Sequence, residues 1–249
     1  MYRFSLLFLM MIINSPVLAE EQQLDGKAIL ALATEAAGGD GWANAKTLEL
    51  SGNAVFYGRE GPEPKSRADD YRMWREFDPE RQAAHGAEGK VRIVAKSGDK
   101  TIFEVGYDGE TTWTDKGIMP KQQADEYWSN NFGFGIIRHA SKPGFTATRL
   151  ADDIFDGNDI YVVELKDPAG TRTLFGIDKA FYAIRTLGFG TPTGWHRRTY
   201  RDFIKLKNPD WLQARHVTLY YDDRKSNEVF WTETKVNGPI APGIFTPSK

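Results

Sequence analysis

From Thr47 onward, apolar and polar residues alternate with a period of two, and that period confines each segment to a strand with one buried face. Leu48, Leu50, Ala54 and Phe56 fall on one side, and Glu49, Ser51 and Asn53 on the other. The same alternation returns at 71–77, 91–96, 102–107, 160–166, 171–177, 183–189, 195–206, 214–221 and 229–236. Turn chemistry separates these runs. Ser97-Gly98-Asp99 and Asp108-Gly109 supply residues that tolerate positive φ, and Asp167-Pro168-Ala169-Gly170 reads as a hairpin loop. A polar turn, Asp222 to Asn227, joins the last two runs. About ten strands joined by short turns predict a mostly β chain of the α+β class: one strongly curved antiparallel sheet with an apolar face to cover.

Two segments break the period. At 25–37, Ile29, Leu32, Ala33 and Ala36 repeat at helical spacing, Asp25 is placed to cap the first turn, and Gly38-Gly39 supplies a stop. A second helix is expected from Pro120 to Phe132, with Ala124, Tyr127, Trp128 and Phe132 on one face. The next residues, Gly133-Phe134-Gly135-Ile136-Ile137, are apolar but interrupted by glycine, so a rigid helix is not expected there. The tail from Gly238, rich in Gly and Pro, is expected to lie over the surface.

Residues 1–19 read as an export signal. Arg3 precedes an apolar run from Leu6 to Ile13, Ser15-Pro16 breaks it, and Val17-Leu18-Ala19 places small residues where a signal peptidase reads. The run is about half the ~20 residues a spanning helix needs. Residues 20–249 are expected to form a single β-rich domain, which their number allows. The chain has no cysteine. This excludes a lipid-anchored cysteine after the signal, disulfides, thiolate metal sites and cysteine nucleophiles. With 32 basic against 34 acidic residues, nothing draws the chain to nucleic acid or an anionic membrane. The mixed basic and aromatic stretch Trp195 to Arg201 divides between the two faces of a strand and reads as a solvated face.

Catalytic patterns are missing. His85, His139, His196 and His216 are not spaced as metal ligands, and no nucleophile elbow or phosphate-cradling loop occurs. His196 and His216 fall in neighbouring strands and are expected to be solvated strand-face residues. The acidic run Asp152 to Asp159 lacks the spacing and closing glutamate of a calcium loop and reads as a polar turn. No cofactor is expected.

Aromatic content carries the positive signal: seven Trp, ten Tyr and fifteen Phe. Most must fill the core. A curved sheet only partly covered by two helices, however, leaves an apolar concavity, the usual form of a small-molecule site. Tyr127, Trp128, Phe132, Phe134 and Ile137 are the residues expected at its mouth, with 132–137 as a movable lid.

Several segments resemble periplasmic proteins related to the outer-membrane lipoprotein carrier LolA. They are Ala36-Ala37-Gly38-Gly39 with Trp42 leading into Lys46–Gly52, the Gly106–Trp113 hairpin, Asp178-Lys179 to Thr186, and the closing Lys235-Val236-Asn237 to Phe245. The resemblance implies an unclosed half-barrel plugged by helices, with a cavity that shelters lipid or acyl chains in the periplasm. The arginine with which such carriers hold their lid shut has two nearby candidates, Arg72 and Arg75.

The leading expectation is therefore a non-enzymatic periplasmic carrier or binding protein for a hydrophobic ligand, a lipid or a lipoprotein acyl chain. The alternative is an envelope interaction or structural protein that pairs with a partner through a sheet edge. A hydrolase built from carboxylates or from His196 and His216 comes third. Export should remove 1–19, so N-terminal sequencing of the secreted chain is expected to begin Glu20-Glu21-Gln22; retention of Met1 in a membrane fraction would contradict the leader.

Overall fold

The computed structural model describes residues 24–58, 61–131 and 134–247. The expected leader at 1–19 and Phe132 lie outside them. Helix α1 (Gly26–Ala37) begins where Asp25 Oδ1 accepts from the Ala28 amide at 2.8 Å, and ends at Gly38, whose φ of 134° a side chain would resist. Its buried face is Ile29, Leu30, Ala33 and Ala37. The chain does not simply stop at the glycine pair. A short helix, α2 (Gly39–Ala43), follows and seats Trp42 against Trp211 with ring centroids 6.4 Å apart.

Strands β1 (Thr47–Tyr57), β2 (Pro64–Glu76), β3 (Lys90–Ser97), β4 (Lys100–Tyr107), β5 (Thr112–Thr114) and β6 (Gly117–Ile118) form a meander. Helix α3 (Lys121–Asn131) and a 3-10 helix (Phe134–His139) come next. The second meander holds β7 (Thr146–Arg149), β8 (Asp153–Phe155), β9 (Asn158–Lys166), β10 (Arg172–Asp178), β11 (Ile184–Thr191), β12 (Gly194–Leu206), β13 (Trp211–Tyr221) and β14 (Arg224–Val236).

These strands make one open antiparallel sheet in the order β6-β5-β4-β3-β2-β1-β14-β13-β12-β11-β10-β9-β7, with β8 paired to β9. The first and last long strands meet at its centre, Leu48 opposite Val236 and Phe56 opposite Asn227. The two edges, β6 and β7, are therefore consecutive in sequence but at opposite ends of the sheet. Residues 119–145 must cross from one to the other. The expected curved sheet with helices on one side is the observed one, and β5 to β8, each four residues or fewer, are the strands too short to show a period.

The sheet bends at its centre through Gly52. The β1–β14 register shifts between Ser51 and Gly52, and a Cβ on Gly52 would stand 2.0 Å from the Phe230 carbonyl oxygen. A bulge with no side chain lets the two strands approach and adds local twist.

Helix α1 packs on β7, β9 and β13. It seals one half of the concave face, where Ile29 and Leu30 join Val163, Leu165, Phe175 and Ile177 in the main core. The tail lies on the surface as expected, but it is pinned there. Trp113 Nε1 donates to the Phe245 carbonyl at 2.9 Å and Arg92 to that of Ile244 at 3.1 Å.

Gly52→Ala is expected to cost about 1–3 kcal/mol through forced separation of β1 and β14, lowering Tm by roughly 2–10 °C. A thermal melt unchanged within a degree would show that the bulge tolerates a methyl group.

Candidate functional site

Helix α1 fills only part of the concave face. The remainder, walled by β1–β4 on one side and β12–β14 on the other, encloses a cavity of about 580 Å³. Such a volume falls within the ~300–1,000 Å³ of typical small-molecule sites. The alternation that buries one side of each strand supplies the lining: Leu48, Leu50 and Phe56, then Met73, Ile93 and Phe103, then Val217, Leu219, Val229 and Trp231. Ala33 and Ala37 of α1 face the hollow with side chains too short to fill it. Asp115 and Lys116, exposed on the β5–β6 turn, belong to the lining and mark where it opens to solvent.

The aromatic residues expected at the mouth take different places. Tyr127 lines the cavity. Trp128, one residue on, turns away into a small cluster with Val91 and Val105, its Nε1 donating to Thr112 Oγ1 at 2.7 Å. Ile137 is buried in the main core. Phe134 opens the 3-10 helix, Phe132 is outside the described residues, and the segment from 134 to 139 is a helical turn.

The sequence reading named Arg72 and Arg75 but missed the other charges. Arg75, on β2, points inward with Tyr71 and Met73 and lines the cavity, whereas Arg72 faces out and pairs with Asp70 at 2.7 Å. Of the two arginine candidates, Arg75 is thus the inward one. Its Nη2 donates to Glu88 Oε2 at 3.0 Å, and Arg81 Nη1 donates to the same oxygen. All three side chains are buried. Arg138, from the 3-10 helix, lies beside them, with its guanidinium carbon 4.1 Å from the Phe77 ring centroid, 4.6 Å from Trp42 and 5.3 Å from Trp211. Burial alone would raise the Glu88 carboxyl. Arg75, Arg81 and Arg138 outweigh that and hold it below the usual carboxylate range. Burial pushes Arg138 down to about 9, against the pull of Glu88, which leaves it protonated at neutral pH.

This cluster explains the glycine before Ile136. A Cβ on Gly135 would stand 2.8 Å from Glu88 Oε2 and 2.9 Å from Arg81 Nη1, so only glycine lets the 3-10 helix close over the ions. The interrupted apolar segment is a cover for buried charge.

A fourth cation, Arg198, reaches the cavity from β12. Its charge bears on Tyr71, Tyr127, Tyr200 and Tyr221, which come from four different elements. Burial raises all four hydroxyls, Tyr71 and Tyr200 to about 12, so they stay protonated and can donate.

The histidine expectation fails for His196, whereas His216 stays partly exposed, its Nε2 3.3 Å from Glu228 Oε1. His196 is fully buried between Phe189 and Tyr221, and its Nε2 accepts from Arg198 Nε at 2.8 Å. Burial and the adjacent guanidinium push it down to about 2, so the ring is neutral. It sits opposite Tyr221, whereas His216 sits opposite Arg201, five residues along, so the two do not meet. Alternation alone could not foresee this, because it marks which residues share a face and not which face is covered. Asp152 and Asp156 are taken by Arg149, Lys179 and Arg201, and no cluster of metal-ligating side chains occurs among the described residues.

An open antiparallel half-barrel with helices on its hollow side and an apolar cavity between them is the LolA-like fold. No family model and no curated relative matches the chain. Solved structures do. A LolA superfamily protein from Nitrosomonas europaea superposes with a TM-score of 0.54 at 12% identity over 90% of this chain and 99% of that one. A DUF1329 family protein from Desulfovibrio piger gives 0.53 at 10% identity, over 88% and 96%. A domain from Vibrio parahaemolyticus named for outer-membrane lipoprotein sorting gives 0.51 at 14% identity, over 87% and 95%. At such identities the likeness concerns the fold.

Glu88→Gln leaves two buried guanidiniums without their carboxylate and is expected to cost about 3–5 kcal/mol in a denaturant titration. Because the folded-state carboxyl lies below the ordinary value of about 4.3, this contribution is complete above that pH and is lost as pH falls through the lower, folded-state value. The gap between wild type and variant should therefore narrow on acidification. An equal gap at pH 7 and pH 2.5 would contradict the ion-pair account.

Proposed function

We propose that the protein is a periplasmic binding or carrier protein for a hydrophobic ligand, a lipid or acyl chain held in the half-barrel cavity after removal of residues 1–19. One observation carries the reading: the concave face is hollow, and apolar side chains from both meanders line it without filling it. Each methylene taken from water is worth roughly 0.8 kcal/mol, so about ten of them supply roughly 8 kcal/mol. That is the scale of micromolar affinity before ordering costs are paid. The fold shared with LolA-like proteins supports the same reading.

Tyr127 is assigned to the ligand contact from α3. Trp128 and Ile137 are assigned the supporting role of anchoring α3 and the 3-10 helix on either side of the crossing. Release then requires α3 to move from the cavity. No helix of the described residues is long and apolar enough to cross a membrane.

The alternative, a partner bound along a sheet edge, has less to stand on. The edges are β6 with two residues at one end and, along β9 at the other, β7 with four and β8 with three. Edges this short offer few backbone groups to a visiting strand.

Val217 and Leu219 line the cavity while half-buried, so bulk added there enters the hollow rather than the packed core. Lipid mass spectrometry of protein purified natively from the periplasm is expected to find a stoichiometric acyl lipid. The Val217→Trp/Leu219→Trp double variant should retain its melting temperature within a few degrees and lose at least tenfold of that lipid. A wild-type protein free of lipid that also fails to take up a fluorescent fatty acid would overturn the carrier reading.

A further inference from the structure

We infer that the cavity selects an amphiphile with an acidic head group, a carboxylate or a phosphate on an aliphatic tail, and that Arg138 holds the head. This deepens the carrier reading and rests on it.

The cavity is not uniformly greasy. Its apolar stretch runs along the strands, whereas the end beneath α1, α2 and the 3-10 helix is cationic. Three guanidiniums, those of Arg75, Arg81 and Arg138, share one carboxylate there. That carboxylate, Glu88, already accepts from Arg75 and Arg81 through a single oxygen. Arg138 is the cation left over. Trp42, Phe77 and Trp211 pack around its guanidinium and exclude water. Two of its nitrogens, Nε and Nη1, are buried with no hydrogen-bond partner among the described residues. Its side chain nonetheless belongs to the cavity wall. A buried cation with unused donors beside an empty, ligand-sized space is complementary to an oxyanion, which only accepts.

Of the other polar groups of the wall, Asp115 is exposed on the β5–β6 turn, and several of the rest are cationic or donors. Arg198 brings a further positive charge, and Tyr71, Tyr127, Tyr200 and Tyr221 bring hydroxyls that remain protonated. The amide of Gln213, which also lines the cavity, is already engaged: its Oε1 accepts from Trp211 Nε1 and its Nε2 donates to the Ala214 carbonyl. Glu104 also belongs to the lining, but its carboxylate is held by Arg92. A neutral ester or alcohol would satisfy the apolar wall and leave the charge unanswered. A cationic amphiphile would meet like charge. Only an acidic head answers both parts of the lining.

The test is isothermal titration of the delipidated mature protein with four probes: oleate, lysophosphatidate with an oleoyl chain, oleyl alcohol and oleyl ammonium. Either acidic probe is expected to bind at least tenfold more tightly than oleyl alcohol, and oleyl ammonium more weakly than the alcohol. Tighter binding of oleate would identify a carboxylate as the natural head, and tighter binding of lysophosphatidate a phosphate. Arg138→Met keeps an apolar side chain among Trp42, Phe77 and Trp211. It should bring the acid-to-alcohol ratio below threefold. Should that variant fail to melt cooperatively, Arg198→Met gives a second reading of the same ratio, and the wild-type comparison needs no variant. Equal binding of oleate and oleyl alcohol by the wild type would overturn the acidic head and leave the carrier reading standing. Undiminished selectivity in a folded Arg138→Met protein would overturn the assignment to Arg138. Binding of none of the four would overturn the carrier reading itself.

Discussion

The pairing of β1 with β14 organises this molecule. Bringing the first long strand against the last at the centre of the sheet sends β6 and β7 to opposite edges, although only residues 119–145 separate them in the chain. That segment has to span the width of a curved sheet. The concave side is the shorter way and the apolar side, so α3 and the 3-10 helix lie across it. The cavity, its cover and the placement of Arg138 all descend from one strand pair and the glycine bulge that lets it bend.

Coverage and hollowness then become a matter of side-chain length. Helix α1 presents Ile29 and Leu30 to the β9–β11 half and fills it. Further along, the same helix presents Ala33 and Ala37, and the space beneath them stays open. Two residue types on one helix thus divide the concave face into core and cavity. The open half is bounded by charge that is costly to bury. Taking a guanidinium out of water costs several kcal/mol unless a partner answers it, and Glu88 answers two of the three at that end. Aromatic packing around Arg138 recovers part of the rest. Buried ion clusters of this kind contribute little net stability, so their position on a ligand-sized cavity has more bearing on what the cavity accepts.

Much of the strand layout was legible in the residues. The run from Thr47 to Tyr57 is β1 to the residue, Asp25 caps α1, and the Asp167 loop closes as its composition demanded, with Oδ1 accepting from the amides of Ala169 and Thr171. These are local effects: a period of two, a carboxylate near free amides, a residue that tolerates positive φ. The short strands β5 to β8 escaped because two to four residues cannot display a period. The exposed-strand reading of His196 failed for a related reason. In β12 it alternates correctly, but β11 and β13 flank it with Phe189 and Tyr221, and those neighbours are set by pairing across the sheet.

The sequence by itself determined the class of protein: a cysteine-free, antiparallel β chain with two principal helices and more aromatic surface than a flat sheet needs. Each of those properties is written in neighbouring residues. Only the tertiary structure decided where the hollow lies, that Arg75 rather than Arg72 faces it, that Trp128 turns from it while Tyr127 does not, and that Gly135 is a lid over buried ions. Those outcomes depend on groups dozens of residues apart meeting in a low-dielectric space, where one unanswered charge or one missing methyl group outweighs any local preference.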